Sequence, residues 1–439
     1  MKRIASFLWG NLSTGELVKF MLLALGAFFM IGSYYPLASL KKSIFLDMVG
    51  GKHLYLAKQV SLVANLVLVL LYNRLVDFFS KQRLIYAFLL FYASLGCLFV
   101  FLLSHPTIGM ANKLASFDRY LGWAFFVFAE TYLTVMVALY WSFINDVTTS
   151  ESAKKGYGII VTGSQCGGFT AAFMGKILIS DTRLYDTRVP LIVCISVVMF
   201  LLMGVCVWLV NTIVPKSDMQ GEQGKEPEKK PTAGFFEGVL VLLRTPYVAG
   251  IFGIMFFQEI ISSLMDIYMT RMAEVEFVER AVRSNFFFSY NLALQFIAVT
   301  FALLGTSALH RYLGTRWSLI AFPSLLMAVL SIFFVWRHLY AVALFMIAIK
   351  AFHYAFNMPV KETLYIPTTK DVKYKAKSWI DMFGLRFSKS IGSFLGGVVE
   401  MHPYVIGIFS VIGLGAWITT AGVVGTVNEK ALKRDKIIG

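Results

Sequence analysis

The sequence has little charge for its length, because Asp, Glu, Lys and Arg make up only 15% of its 439 residues. Soluble domains carry about 25% charged residues, so a soluble globular protein is excluded. Hydrophobic residues make up 58% of the chain and the mean hydropathy is +0.70. This composition is typical of a protein that crosses the membrane many times, with roughly 20 apolar residues in each span.

Cysteine is scarce as well, and its placement supports neither a disulfide framework nor a zinc site. The four cysteines lie within apolar stretches without metal-ligand spacing, and we interpret them as small packing residues: Cys97, Cys166, Cys194 and Cys206. The sequence also lacks a Gly-x-x-x-x-Gly-Lys-Ser/Thr loop and any His/carboxylate grouping typical of a membrane enzyme. We therefore expect no enzyme activity, no cofactor and no metal.

Apolar stretches predict about twelve membrane helices in two sets of six. The first set lies near 17–38, 55–76, 84–104, 119–144, 157–180 and 188–214, and the second near 245–268, 284–308, 317–335, 338–356, 378–400 and 403–427. The long polar stretch PKSDMQGEQGKEPEKKPTAG is typical of a flexible linker. We expect an all-α membrane protein with a six-helix bundle at 1–214, a cytoplasmic linker at 215–234 and a second, pseudo-symmetric six-helix bundle at 235–439.

An internal repeat favours two related halves. Thr148-Thr149 and Thr368-Thr369, 220 residues apart, each precede an acidic residue, several lysines and a Gly-rich span. Each pair opens the fifth helix of its half, as in the parallel repeats of the major facilitator superfamily (MFS). Chance similarity in an apolar chain is the alternative. Close helix packing explains the glycines by itself, but it does not explain the lysines.

The distribution of Lys and Arg predicts that both termini are cytoplasmic, because basic residues concentrate in the loops on that side. Three segments on the predicted outer side break the pattern: LKKSIFLDMVGGK, DTRLYDTR and TRMAEVEFVERAVR. The net charge of +15 therefore exceeds what topology alone explains.

Charged residues inside predicted spans are candidates for function, because each costs about 2.5 to 3.5 kcal/mol at the centre of a helix. Glu130 lies in mid-span, where it either gates, carries a proton, contacts cargo or forms a structural pair. Glu259 and Asp266 lie seven residues apart and share one face of the seventh span. Lys41 and Lys42 follow the first span on the predicted outer side, which favours a place at a cavity mouth over simple interfacial anchoring.

The segment 359–397 holds the densest group of cations. A short loop carries Lys361, Lys370, Lys373, Lys375 and Lys377, and the apolar stretch after it holds Asp381, Arg386 and Lys389. Lys377 and Asp381, at i,i+4, are expected to neutralise each other in part. Arg386 and Lys389 lie one turn apart and suit a phosphate group, unless Lys389 snorkels or pairs with another helix. Because the excess charge is positive, the expected ligand is an anion.

This segment resembles the late signature of the ATP:ADP antiporter family, the nucleotide transport proteins of plastids and obligate intracellular bacteria. The residues in register with that signature, without a gap, are Pro359, Lys361, Glu362, Tyr365, Ile366, Pro367, Lys373, Lys375, Lys377, Asp381, Gly384, Arg386, Lys389 and Ser390. Shorter matches at Glu16-Leu17, at SKQRLIY and at Thr245-Pro246-Tyr247 extend the resemblance over most of the chain in patches.

Four positions depart from the family pattern. Ala38 stands where the family usually carries Arg, and Lys42 where an Asp usually follows the first-helix Lys. On the seventh helix Asp266 stands for the usual Glu and Thr270 for a Lys. These changed charges bear on which nucleotide is carried.

The resemblance implies an MFS-like secondary transporter that exchanges ATP for ADP by alternating access, with the nucleotide as cargo. It implies phosphate-binding roles for Lys41, Lys375, Lys377, Arg386 and Lys389, and gating or coupling roles for Glu130, Asp266 and Asp381. Further candidates are Lys42, Glu259, Lys361 and Glu362.

The expected surroundings are the lipid bilayer of a bacterial inner membrane, with no nucleic acid and no obligate protein partner. Two other functions stay open at this point. One is a proton-coupled symporter of another nucleotide or organic anion, with Glu130 as the proton site. The other is a membrane receptor or scaffold that transports nothing.

Overall fold

The computed structural model describes residues 13–76, 78–79, 81–215, 218–219, 235–304, 307–353, 358–369, 372–398, 402–434 and 437–438. These residues form helices and turns, and the β-type contact among them is an isolated bridge between Thr368 and Ile438. The predicted all-α fold is confirmed. The predicted linker at 215–234 lies almost entirely outside the described residues.

The described residues form helices that are numbered here in chain order. They are α1 (Thr14–Met48), α2 (Leu54–Val76), α3 (Lys81–Ser104), α4 (Tyr120–Asp146), α5 (Ser150–Ile179), α6 (Tyr185–Ile213), α7 (Phe235–Arg244), α8 (Pro246–Glu276), α9 (Arg280–Leu304), α10 (Ser307–Val335), α11 (Leu339–Phe352), α12 (Met358–Leu364), α13 (Leu385–Val398) and α14 (Pro403–Lys433). Directly before α13, the chain forms π-helical segments at Val372–Ala376 and Ile380–Gly384, joined by one α-helical turn.

Helices cover most of each of the twelve predicted spans. Eight of them are long and apolar enough to cross a membrane, and α11 is a shorter apolar helix. The multi-pass membrane fold is therefore confirmed, whereas the count of twelve spans stays a prediction. The remaining predicted spans, in α5, α9 and the segment 372–398, are richer in small, polar and charged residues.

The first helix is longer than the apolar pattern predicts. The sequence suggests a span at 17–38 followed directly by two lysines, but α1 continues to Met48 and holds Lys41 and Lys42 as buried residues. The helix continues because both ammonium groups have partners on neighbouring helices. A helix length estimated from the apolar run alone does not take such partners into account.

Contacts divide the chain into two compact units. The first comprises Met1–Lys225 and Phe277–Leu303, and the second comprises Glu226–Glu276 and Leu304–Gly439. Helix α9 thus lies with the first unit, although the predicted division at 215–234 assigns it to the second half. The two-bundle division stays a prediction.

In the first unit α1 is the central helix, and it packs against α4, α5 and α6. A capping box formed by Ser13 and Glu16 begins the helix. Lys19, one turn further on, is buried and donates hydrogen bonds to the backbone oxygens of Val147 at 3.1 Å and Asp218 at 2.6 Å. These bonds fix the first turns of α1 to the connections that follow α4 and α6.

In the second unit α8 occupies the corresponding central place, packing against α11, α13 and α14. These are the helices of the fourth, fifth and sixth predicted spans of the second half. The first helix of each half therefore has the same three neighbours, which agrees with the repeat expected from the sequence.

A pair of glycines four residues apart lets the first and fifth helices of each half touch. In α5 a methyl group on Gly163 would lie 2.6 Å from the carbonyl oxygen of Ala24, and one on Gly167 would overlap the carbonyl group of Phe28. In α13 a methyl group on Gly392 would overlap the backbone of α8, and one on Gly396 would lie 3.1 Å from a side chain of α8. The predicted close approach through small residues is confirmed.

We expect Gly167→Ala to destabilise the protein, because the added methyl group cannot fit without moving α5 away from α1. Gly158→Ala on the same helix is the matched control, since a methyl group there meets no atom within 4 Å. The control should be neutral or stabilising by about 0.5 to 1 kcal/mol. Thermal midpoints of the detergent-purified variants test this, and equal midpoints for the two would show that the contact is not tight.

Candidate functional site

The first charged site joins α1 to the middle of α4. Lys41 Nζ donates a hydrogen bond to Glu130 Oε1 at 2.8 Å, and it lies 5.6 Å from the ring centroid of Phe126. The Lys41 side chain is buried and that of Glu130 is 32% exposed. Next to it, the ammonium group of Lys42 lies 5.4 Å from the ring centroid of Phe287. A carboxylate and aromatic faces thus keep both cations stable in an apolar surrounding.

The second site surrounds a fully buried carboxylate near the end of α1. Arg283 of α9 forms an ion pair with Asp47, whose side chain has no exposed surface. Tyr185 donates a hydrogen bond to Asp47 Oδ2 at 2.7 Å, and its hydroxyl group lies 3.0 Å from that of Ser284. Charge-assisted hydrogen bonds are the strong ones, and these offset the cost of burying a charge, which is several kcal/mol per ion.

A neighbouring pair explains the unusual charge pattern of the outer segments. Arg280 donates hydrogen bonds to Asp186 at 2.7 Å and to the backbone oxygen of Met110 at 3.0 Å. Asp186, Asp47 and both arginines come from the three segments that break the positive-inside pattern. Two of their basic residues, Arg280 and Arg283, are thus ionic partners of acids in the same segments. The sequence analysis did not single out these pairs, although the mixture of opposite charges in those three segments was a signal for them.

In the second unit, two carboxylates in the middle of α8 face cations on other helices. Glu259 lies 3.7 Å from Lys389 of α13, and Asp266 lies 3.7 Å from Lys350 of α11. The two carboxylates are nearly buried, at 11% and 12% exposure, whereas the Lys389 side chain is 59% exposed. Lys350 was not predicted as a site residue, although a lysine near the end of the apolar run LYAVALFMIAIKAF was a visible signal.

Two further pairs connect α12 to the segment before α13. Lys361 donates to Asp381 at 2.8 Å, and Lys377 donates to Glu362 at 2.5 Å. The Lys377 ammonium group also lies 5.3 Å from the ring centroid of Tyr365. Burial raises the pKa of Tyr365, so this residue stays neutral beside the cation.

The expected pairing of Lys377 with Asp381 is thus replaced by two pairs with α12. The physical reason is that α12 supplies a partner of opposite charge to each of the two residues. Glu362 accepts a hydrogen bond from Lys377, and Lys361 donates one to Asp381.

Lys375 contacts a third element, the short helix α7, which the sequence analysis did not predict. Its ammonium group lies 3.2 Å from Glu237, and Gly238 lies against Trp379. Lys375, Lys377 and Lys389 therefore contact three different helices, α7, α12 and α8.

Arg386 differs from these lysines. Within the described parts of the chain its Nη1 atom is buried and has no hydrogen-bond partner. Leaving a buried donor unsatisfied costs about 1 to 3 kcal/mol, and more for a charged group. Arg386 therefore has a donor to offer to an anion, one helical turn before Lys389. Among the described residues no group of three or more His, Cys, Asp or Glu side chains could hold a metal ion.

The chain is similar in sequence to one family of membrane transporters. The sequence profile of the family described as "TLC ATP/ADP transporter" matches residues 1–346. The chain is 23% identical to ADP,ATP carrier protein 1 of Chlamydia pneumoniae, over 95% of this chain and 93% of that protein. It is 25% identical to the chloroplastic ADP,ATP carrier protein 1 of Arabidopsis thaliana, over 84% of this chain and 66% of that protein.

Solved structures with a similar fold are membrane transporters. A bacterial homologue of the iron transporter ferroportin, in the inward-facing state, superposes with a TM-score of 0.64 at 11% identity, covering 95% of this chain and 99% of that one. The nucleoside transporter NupG gives a TM-score of 0.57 at 12% identity, covering 97% and 100%. At such identities the similarity concerns the fold alone, and it confirms the expected MFS-like architecture.

We expect the Asp47–Arg283 pair to be a stability element of the first unit. Asp47→Asn or Arg283→Gln alone should destabilise strongly, by about 3 to 5 kcal/mol, because each leaves a buried charge without its counter-ion. The double variant should lose less than the sum of the two single losses. A double-mutant cycle on thermal or denaturant unfolding measures this coupling, and additive losses would mean that the pair contributes no mutual stabilisation.

Proposed function

The chain belongs to the TLC ATP/ADP transporter family, and on this basis we propose that it exchanges ATP for ADP across the membrane by alternating access. The observation that carries the proposal is the family match over residues 1–346. The geometry supports it, because each unit holds cations inside helical segments, where an anionic cargo can compete with the carboxylates that neutralise them.

The proposed phosphate ligands are Lys41 in the first unit and Lys375, Lys377, Arg386 and Lys389 in the second. The four lysines are neutralised by glutamates in this structure: Glu130, Glu237, Glu362 and Glu259. A phosphate group is an anion, like the carboxylate it would replace, and its oxygens likewise accept hydrogen bonds from lysine. We therefore propose that cargo binding breaks some of these pairs and that cargo release restores them.

Gating follows from the same exchange of partners. Glu130, Asp266 and Asp381 are proposed to hold the cations when no cargo is present, so that the unloaded carrier keeps its interior charges compensated. A carrier with uncompensated interior charge is costly in a bilayer. Because of this cost, the carrier should change back to its first conformation more readily with a counter-exchanged nucleotide bound than with an empty site. ATP and ADP differ by about one charge, so exchange would feel roughly 2.3 kcal/mol per 100 mV if that charge crosses uncompensated.

The cellular setting is part of the proposal. We propose that the protein lies in a bacterial inner membrane with both termini in the cytoplasm, and that it acts without nucleic acid or an obligate protein partner. The nucleotide is cargo and is not hydrolysed.

A proton-coupled symporter of another nucleotide or organic anion is the second candidate. The partial exposure of Glu130 gives a proton access to this carboxylate. Its hydrogen bond with Lys41 favours the gating role, since a proton carrier would have to break that bond in order to be protonated. The altered family positions Ala38 and Thr270 are the places where a change of cargo would originate.

Exchange predicts that efflux depends on counter-cargo. Proteoliposomes preloaded with labelled ADP should release it rapidly when ATP is added outside, and slowly into plain buffer. Net uptake at two pH values separates the second candidate, because a symporter responds to a proton gradient without internal nucleotide. Equal efflux into plain buffer and into ATP would rule out obligatory exchange.

Lys389 of α13 should contribute to the affinity for nucleotide. We expect Lys389→Ala to raise the KM for ATP about 10-fold or more, since a charge-assisted hydrogen bond contributes about 1.5 to 3 kcal/mol. Lys113→Ala, in an exposed loop between α3 and α4, is the control and should leave KM unchanged. A normal KM in the Lys389 variant, with normal expression, would assign this lysine a structural role only.

A further inference from the structure

Lys350 is a cation of the second unit that is not among the proposed phosphate ligands. It is the only charged residue of α11, whose sequence LYAVALFMIAIKAF is otherwise apolar. Its side chain is 33% exposed, and its ammonium group lies 3.7 Å from the nearly buried carboxylate of Asp266. A charge placed in such a helix marks a pathway or a site for an ion or substrate, together with its counter-charge.

Lys350 occupies the position that Glu130 occupies in the first unit. Helices α4 and α11 carry the fourth predicted spans of the two halves. Tyr120 begins α4, Tyr340 is the second residue of α11, and the charged residue follows ten positions after each tyrosine. Glu130 and Lys350 are also 220 residues apart, which is the spacing of the Thr-Thr repeat.

The partners of these two residues correspond as well. Lys41 lies about two turns before the end of α1, and Asp266 lies about three turns before the end of α8. Both helices are the central helix of their unit and pack on the glycines of the fifth helix. In both units, the described residues thus include an ion pair between the first and the fourth helix. The charges are reversed, with the lysine on the first helix in one unit and on the fourth in the other.

The surroundings of Lys350 form a charged face along α8. Glu259 and Asp266 lie seven residues apart, about 10 Å along the axis, and each pairs with a lysine from a different helix. His353, one turn after Lys350, hydrogen bonds Gln258 of α8. Lys350 and Lys389 therefore contact the same side of α8.

We propose that Lys350 is a cargo-binding residue of the second unit, which a nucleotide phosphate takes over from Asp266. This assignment rests on the proposed nucleotide transport and adds a ligand that neither the family resemblance nor the sequence analysis supplied. Because the charges of the pair are reversed relative to the first unit, cargo that binds Lys350 releases a carboxylate of α8. In the first unit, by contrast, cargo that binds Lys41 releases a carboxylate of α4.

The test must separate cargo binding from a structural ion pair. Lys350→Gln should raise the KM for ATP about 10-fold or more in ADP-loaded proteoliposomes, and Lys350→Arg should recover much of the loss. The double variant Asp266→Asn/Lys350→Gln removes both charges and leaves no unpaired ion. It should fold with a thermal midpoint near that of the parent and should still show the raised KM. Lys113→Gln serves as the surface control.

Each result decides between the roles. A double variant with the KM of the parent would overturn the proposal, because neutralising the pair would then be all that Lys350 does. A thermal-shift titration with ATP gives a second readout. ATP should stabilise the parent, but it should stabilise neither Lys350→Gln nor the double variant Asp266→Asn/Lys350→Gln. If the parent neither exchanges ATP nor gains stability from it, the proposed function fails together with this assignment. If the parent exchanges ATP and the double variant matches it, only the role of Lys350 is rejected.

Discussion

The cost of placing a charge among apolar helices is the constraint on which the rest of this structure depends. An isolated ion in such a place is costly enough that it needs a counter-ion or hydrogen-bond donors. Lys41, Asp47 and Asp266 all lie on the central helices, and each is held by an opposite charge on another helix. The ion pairs therefore decide how far these helices extend and which neighbours they face.

Close packing of the helices gives these pairs fixed positions. Glycines of α5 and α13 bring the backbones of the first and fifth helices of each half together, and the fourth helix then lies where its charged residue meets the first helix. Because both units have this arrangement, the repeat in the sequence is accompanied by a repeated ion pair between the first and fourth helices. We propose that the lysines of these pairs bind an anionic cargo once their carboxylates are displaced.

Much of the fold follows from the sequence, because long apolar runs leave few alternatives to membrane helices. The sequence also indicated Glu130, Asp266 and Lys389, since charge within an apolar run is visible without a structure. It did not indicate their partners. Lys377, for example, pairs with Glu362 of α12, and hydrophobic periodicity carries no information about which element a charged side chain will face.

The length of α1 and the ion pairs of the outer segments could not be predicted from the sequence, for a related reason. A run of apolar residues ends at the first lysine, but a helix continues if that lysine finds a counter-ion. Lys41 finds Glu130 from a helix some 90 positions later, and Asp47 finds Arg283 from one much later still. These are long-range contacts, and one sequence read without its relatives does not reveal which charges meet.

The proposed binding of cargo to these lysines is tested most directly by an experimental structure of the protein with ADP bound. We expect phosphate oxygens within about 2.7 to 2.9 Å of the lysine nitrogens they bind, with Lys389 or Lys350 among these lysines and the matching carboxylate of α8 displaced. A nucleotide bound elsewhere, with the Lys389–Glu259 and Lys350–Asp266 pairs both intact, would rule out this mode of binding.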